Sequence, residues 1–228
     1  MPSSTAKPKS KTPRAKGAGE TQAKARAARL FSALRERYPD AHCALIHDNA
    51  FQLLIATILS AQCTDKLVNQ VTPGLFKAFP DAKALAGAPL SSVEEKVNRV
   101  NFWRNKAKHI KAAAQLIADE FVGDVPQEME ELIRLPGVAR KTANVVLGNA
   151  FGKNEGDVVD THVGRLAKRF GLTREDDPKK IEKDLMNLFP REQWMLLSHL
   201  FIEHGRQVCK ARHGLCAQDA ICLEFHKK

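Results

Sequence analysis

The sequence predicts an all-α protein, and three observations support this class. Apolar residues recur with helical spacing from residue 20 onward, and no segment alternates convincingly as a strand would. Prolines and glycines interrupt the pattern at short intervals, which indicates many helices joined by short loops. A hydrophobic fraction of 43% in 228 residues is enough for a sizeable core. No apolar run is long enough for a membrane span, and no secretory signal is visible, so we expect a soluble intracellular protein.

The helices can be placed in order along the chain. Glu20–Tyr38 is charged and alanine-rich, and its pattern stops before a proline. Phe51–Leu59 is apolar nearly all round, which predicts a buried central helix. Thr64 can cap a helix that extends to Phe79, with Pro73 predicted to kink or split it. Ser91-Ser92 ahead of two glutamates resembles a helix cap. Further helices are predicted over Asn105–Phe121, 127–134, 140–151, 161–170, 178–188 and 191–207.

The charge of the chain is strongly basic and unevenly distributed. The net charge is +10, which suits a polyanionic partner such as nucleic acid. Residues 1–19 contain five basic residues and no acidic ones, and they are rich in serine, proline, alanine and glycine. We expect this segment to be a disordered basic tail. It either tethers the protein to DNA or serves as a solubilising or targeting segment.

A tight turn followed by a helix forms the most informative stretch. Leu135-Pro136-Gly137 ends one predicted helix, and Arg140 begins the next. Backbone N–H groups at such a helix N-terminus bind phosphate without reading bases. An ordinary connection between two helices is the alternative interpretation. If the turn binds DNA, we expect its contacts to be Gly137, Val138, Ala139, Arg140 and Thr142.

An amine and a carboxylate flank the helix that follows the turn. Lys141 lies in its first turn, where positive potential favours the free amine, which can attack a sugar C1′ and form a Schiff base. Asp160 precedes Thr161-His162 and can stabilise a cationic sugar or activate the amine. Lys141 as a surface lysine and Asp160 as a plain helix N-cap are the alternatives. For Asp160 both roles can hold together.

Four separate motifs, in order, resemble the endonuclease III family of helix–hairpin–helix DNA glycosylases. They are Ser60–Asp65, the run Leu135–Val146, Val159–His162 and His204-Gly205-Arg206 ahead of Cys209. The resemblance covers nearly the whole chain, from about Glu20 to Phe225. It implies a two-lobed helical fold with a helical barrel domain and a second helical domain that ends in a cysteine loop.

The resemblance also implies a reaction. A bifunctional base-excision glycosylase and AP lyase of this family removes oxidised pyrimidines from double-stranded DNA and cleaves 3′ to the site by β-elimination. Lys141 and Asp160 occupy the family's catalytic lysine and aspartate positions. The alternatives are a glycosylase for mismatched or alkylated bases and a catalytically silent DNA-binding module, neither of which needs Lys141. We expect a monomer that acts in the cytoplasm on the nucleoid, with an organelle or nucleus as alternatives.

Two further residues match positions that stabilise a flipped-out base. Gln62 matches the family's gap-filling glutamine, with a polar residue at a helix end as the alternative. Phe102 lies in a basic loop where the family carries an apolar wedge that inserts between bases. The neighbouring Trp103 is better explained as a core anchor.

The C-terminal cysteines depart from the family pattern. The family usually holds a [4Fe-4S] cluster with Cys-x6-Cys-x2-Cys-x5-Cys, whereas this chain has only Cys209, Cys216 and Cys222. The fourth ligand would be His204, His213 or His226; zinc in a Cys₃His site and a loop without metal are the alternatives. In each case the loop would direct Lys210 and Arg212 toward the DNA backbone. Cys43 and Cys63 are expected to be reduced core residues.

These predictions define a domain organisation. Residues 43–154 form the helical barrel domain with the hairpin, and residues 20–42 with 155–228 form the second domain. DNA is expected to lie across the cleft between them.

Overall fold

The computed structural model describes residues 15–156 and 159–227. Within these ranges the chain is helical, with no β-strand, which confirms the all-α prediction. The α-helices are α1 (Ala15–Arg37), α2 (Ala50–Ser60), α3 (Asp65–Ala78), α4 (Ala82–Gly87), α5 (Leu90–Val97), α6 (Trp103–Glu120), α7 (Met129–Leu132), α8 (Arg140–Phe151), α9 (Thr161–Arg169), α10 (Pro178–Leu188), α11 (Trp194–Gln207) and α12 (Ala220–Phe225), with a 3₁₀ helix at Arg191–Gln193.

The first of two hydrophobic cores forms around α2. Its residues come from one continuous part of the chain, between Leu45 and Leu147. Helix α2 is buried from Phe51 to Leu59 except for the partly exposed Gln52, and it packs against α3, α6 and α8. The predicted buried central helix is therefore confirmed.

The second core combines the two ends of the described chain. Helix α1 contributes Ala27, Leu30, Phe31 and Leu34, Tyr38 follows just after it, and the remaining residues come from 163–225. Arg26 joins the ends directly, because its guanidinium donates to the backbone oxygens of Phe170 at 2.7 Å and Phe225 at 2.6 Å. The two cores lie in the regions predicted as two domains, and the boundaries themselves stay predictions.

Helix α1 begins earlier than predicted. Residues 15–19, assigned from sequence to the disordered basic tail, are helical, so that part of the prediction is wrong. Extending an existing helix needs no new nucleation, and Ala15 and Ala18 are strong helix formers. The rest of the predicted tail lies outside the described residues.

Two other local expectations differ from the structure. Helix α3 is not split at Pro73 but continues through it as one helix, because burial of Val68, Val71 and Leu75 outweighs the lost backbone hydrogen bond. The Ser91-Ser92 cap is not formed: α5 begins at Leu90 after Pro89, without a side-chain cap.

Polar contacts link elements of the two cores, and one of them involves the start of α3. The Arg206 guanidinium in α11 forms an ion pair with the Asp65 carboxylate at the start of α3. Helix α11 also contacts α8 directly. Among the described helices, none is both long and apolar enough to cross a membrane.

Candidate active site and DNA interface

A cleft of about 770 Å³ lies where the two cores meet. The residues that line it come from α2, α3, α8, α9 and α11 and from the loops that join them. The structure therefore brings together side chains that are far apart in sequence. Those that bear on function are Gln62, Lys66, Lys141, Thr142, Asp160 and His162.

The turn at Gly137 requires glycine for two reasons. Its φ is +83°, a conformation that side chains with a Cβ rarely adopt, and a Cβ there would lie 3.0 Å from the Cβ of His109. Ala139 is the N-cap of α8 with φ −91°, so the backbone there accommodates its methyl group. Because alanine provides no capping side chain, the first turn of α8 has no side-chain cap. Its N-terminus is available to an anion.

The predicted hairpin contacts differ in what they offer to DNA. The Val138 side chain is buried, and its N–H donates to the Leu135 carbonyl at 3.0 Å, so it shapes the turn and presents no free donor. Arg140 is half-exposed and its guanidinium lies 4.0 Å from the Glu182 carboxylate. Burial raises the pKa of Glu182, with Arg140 acting in the opposite direction.

Lys141 and Asp160 lie on the wall of the same cleft. Lys141 is exposed in the first turn of α8. Asp160 is the N-cap of α9, and its Oδ1 accepts a hydrogen bond from the Val163 N–H at 2.8 Å, which confirms the predicted cap. This bond fixes one oxygen of a carboxylate that lines the cleft. Burial lowers the pKa of the adjacent His162, and the Asp160 charge partly opposes this.

Gln62 and Phe102 lie on neighbouring loops in unusual backbone conformations. Their φ values are +55° and +56°, in the left-handed region that non-glycine residues rarely adopt. Asn101 joins the loops, because its side-chain amide donates to the Gln62 carbonyl at 2.8 Å. The Phe102 side chain is 62% exposed, while Trp103 packs against the first core, as expected. Strained residues of this kind concentrate at functional sites.

A buried lysine that the sequence analysis missed supports the Gln62 loop. Lys106 is 5% exposed, and its ammonium donates to the carbonyls of Leu59 at 2.8 Å and Ala61 at 2.6 Å. It also lies 3.3 Å from the Cys63 sulfur. The sequence contains a signal for its burial, because Lys106 falls on the apolar stripe of α6 together with Ile110.

The C-terminal cysteines form a compact group with one histidine, here called the thiol site. The ligand atoms of Cys209, Cys216, Cys222 and His226 all lie within 4.8 Å of one another, a grouping that can hold a metal. Of the three candidate histidines, His226 is the one whose ring nitrogen lies close to all three thiols. Burial raises the pKa of the Cys209 and Cys222 thiols. Nearby, Lys210 and Arg212 are exposed on the loop.

Comparison with known proteins identifies the class of protein. The model of the HhH-GPD family, described as a superfamily of base excision DNA repair proteins, matches residues 55–191, more than half of the chain. The chain is therefore a helix–hairpin–helix protein of the base-excision repair superfamily. Similarity in fold extends to a thermostable thymine-DNA glycosylase, with a TM-score of 0.77 at 21% identity over 88% of this chain and 94% of that one.

Closer similarities identify the family. The chain is 54% identical to Endonuclease III of Synechocystis over 195 residues, which are 86% of this chain and 89% of the relative. It is 41% identical to Endonuclease III of Bacillus subtilis over 85% of this chain and 90% of the relative. A solved non-covalent Endonuclease III–DNA complex is similar with a TM-score of 0.83 and 40% identity, over 90% of this chain and 95% of that one. The chain belongs to the endonuclease III family.

Proposed function

We propose that this protein is a bifunctional DNA glycosylase and AP lyase that removes oxidised pyrimidines from double-stranded DNA. The observation that carries the proposal is that Lys141 and Asp160 line the same cleft, with Lys141 in the uncapped first turn of α8. That arrangement combines a nucleophile, a carboxylate and a phosphate-binding element. A silent DNA-binding module has no use for the first two.

The chemistry begins with the amine of Lys141. The neutral amine attacks C1′ of the damaged nucleotide, the C1′–N bond breaks, and the base leaves with a proton. The sugar ring opens to give an imine between C1′ and Nζ. Loss of a C2′ proton then breaks the C3′–O bond to the 3′ phosphate, and water hydrolyses the imine. Asp160 accepts the proton that the Lys141 ammonium gives up before the neutral amine attacks, or it stabilises positive charge on the sugar.

The remaining residues hold the duplex and the extruded nucleotide. The N-terminus of α8 with Gly137, Ala139 and Thr142 binds backbone phosphate on one side of the cleft. Lys210 and Arg212 do so from the cysteine loop. Gln62 fills the space left by the flipped base, and the exposed Phe102 inserts between base pairs on the opposite strand.

Borohydride trapping tests the proposal. Duplexes with an abasic site or an oxidised pyrimidine are incubated with protein and sodium borohydride, which reduces the imine to a stable adduct. We expect a covalent adduct for the wild type and none for Lys141→Gln. Lys66→Gln is the matched control, because Lys66 lines the same cleft and its loss leaves the proposed nucleophile intact. Absence of an adduct with the wild type would refute the lyase.

A second candidate is a glycosylase for mismatched or alkylated bases. Proteins with such titles share the fold at 21% and 18% identity. The lysine at position 141 favours the lyase, because direct attack by water needs no amine. A panel of duplexes with thymine glycol, a G·T mismatch and 3-methyladenine separates the two. We expect excision of the first only.

We also propose that the thiol site holds a metal centre that fixes the C-terminal loop. Three thiols and an imidazole are suitable donors for an iron–sulfur cluster, as the family implies, or for zinc. The centre is structural, because the loop lies outside the set of residues that line the cleft. We place the protein, as a monomer, in the cytoplasm with the nucleoid, since the curated relatives named above are bacterial.

A further inference from the structure

We propose that Cys209, Cys216, Cys222 and His226 bind a single tetrahedral zinc ion in place of a four-iron cluster. The inference rests on the proposal that the thiol site holds a metal, and it is independent of the glycosylase chemistry. Each ligand of a four-iron cluster bonds a different iron at its own corner, so the donors are held apart by the width of the cluster. A single ion draws all its donors toward one point.

The spacing of the donors matches a single ion. With Zn–S of about 2.3 Å and Zn–N of about 2.0–2.1 Å, a tetrahedral angle places sulfur and nitrogen about 3.6 Å apart. The Cys209 sulfur and the His226 Nε2 are 3.5 Å apart, and all four donors lie within 4.8 Å of one another. These distances suit a mononuclear centre.

Backbone hydrogen bonds close the loop between the first two cysteines. Both the Lys210 N–H and the Leu215 N–H donate to the Val208 carbonyl, at 2.9 and 3.0 Å. A Cβ at Gly214 would lie 3.0 Å from that carbonyl oxygen and 3.1 Å from the Lys210 nitrogen. These contacts hold Cys209 and Cys216 close together, which suits one ion.

Groups around the site provide the hydrogen-bond donors that zinc-bound thiolates need. Three thiolates and one neutral imidazole on Zn²⁺ carry a net charge of −1. The Arg169 guanidinium donates to the Cys209 sulfur at 3.2 Å and to the Lys210 carbonyl at 2.8 Å, so it offsets this charge and ties the loop. Hydrogen bonds of this kind orient metal ligands and tune the metal.

His204 belongs to this surrounding group and is not the fourth ligand. Its Nε2 lies 3.3 Å from the Cys222 sulfur, and its Nδ1 lies 2.9 Å from the Tyr38 hydroxyl. His204, Asp219 and Cys222 form a second close set, but the Asp219 carboxylate accepts the Cys222 N–H at 3.0 Å as the cap of α12. Because the His204 and Asp219 side chains already have other hydrogen-bond partners, His226 is the fourth ligand.

Metal content tests the proposal directly. The full chain is produced in minimal medium with equal zinc and iron and purified without oxygen, and zinc, iron and acid-labile sulfide are measured per chain. We expect one zinc and no sulfide. Iron and sulfide in equal amounts, with visible absorption, would overturn the zinc assignment and leave the metal site intact. A metal-free protein would overturn both, and neither result affects the borohydride adduct.

Cobalt substitution tests the donor set without relying on variants. We expect Co²⁺ in the wild type to give the intense visible bands of a tetrahedral thiolate site, and octahedral cobalt would overturn the geometry. His226→Cys should keep tetrahedral cobalt and intensify sulfur-to-metal absorption. His213→Ala, on the same loop, is the matched control and should keep one zinc per chain. Arg169→Leu should weaken zinc binding by about 10–100-fold, the effect of losing a group that orients a ligand.

Discussion

The Lys106 ammonium lies 2.6 Å from the carbonyl oxygen of Ala61, just beyond the C-terminal end of α2. A cation at this position satisfies carbonyl groups that have no partner within the helix and opposes the negative end of its dipole. Gln62 follows directly. The hydrogen bonds from Lys106 thus support the loop that carries the proposed gap-filling residue.

Replacing this lysine should disturb both stability and DNA binding. Lys106→Met keeps the length of the side chain and leaves the carbonyls of Leu59 and Ala61 without this donor, which costs about 1–3 kcal/mol. We expect a lower Tm and weaker binding to a duplex with an abasic site at fixed salt. Lys108→Met, exposed on the same helix, serves as the control. Equal effects of the two substitutions would contradict a positioning role for Lys106.

The two roles of Asp160 can be separated by two substitutions. Asp160→Asn keeps a good N-cap and removes the charge, so the free energy of unfolding should change little while base excision is lost. Asp160→Ala removes both, with an added loss of about 1 kcal/mol in stability. Single-turnover excision and urea unfolding measure the two effects. Full excision activity in Asp160→Asn would exclude a role for the charge.

The Gly137 turn should tolerate no side chain. Gly137→Ala combines positive-φ strain with a contact of 3.0 Å to the His109 Cβ. Gly152→Ala is a matched control, since φ is +66° there and a Cβ would meet nothing within 4 Å. The control should lose about 1 kcal/mol from strain alone, and Gly137→Ala clearly more. Equal Tm values would show that the contact with His109 relaxes at no cost.

Acid should destabilise the protein through His199. Burial lowers its pKa to about 4, and its Nε2 lies 2.8 Å from the Asn149 side-chain oxygen. At pH values above about 6.5 the histidine is neutral in both folded and unfolded states and contributes no difference. Between about 6.5 and 4 only the unfolded chain binds the proton, so the free energy of unfolding falls as pH falls.

The size of this effect can be measured against a variant. From pH 7 to pH 5 the loss attributable to His199 should be about 2 kcal/mol, and it should be complete below pH 4. Urea unfolding of the wild type and His199→Gln at both pH values gives the difference between their pH dependences. Parallel pH dependences would show that His199 titrates normally in the folded state.

The sequence was most informative where the structural signal is local. The turn at Gly137, the cap at Asp160 and the buried face of α2 each depend on neighbours within a few residues, and all three are present. The tail was predicted less well, because its residues next to α1 extend that helix.

Other parts of the site depend on contacts between distant residues. The Lys106 contacts with α2 and the Asp65–Arg206 ion pair join segments that share no sequence pattern. The choice of His226 among three histidines likewise depends on how α12 returns to the cysteine loop. Only the folded chain determines these distances.

The two cores differ in when they can be completed during synthesis. The first core draws on a continuous segment of the chain. The second core needs α1 and residues up to Phe225. Arg26 connects α1 to the backbone of Phe170 and Phe225. Closing so long a loop must wait until the last helix has left the ribosome. Helix α1 therefore lacks its partners until α12 has been translated, with the apolar side of Leu30 and Leu34 exposed to the cell.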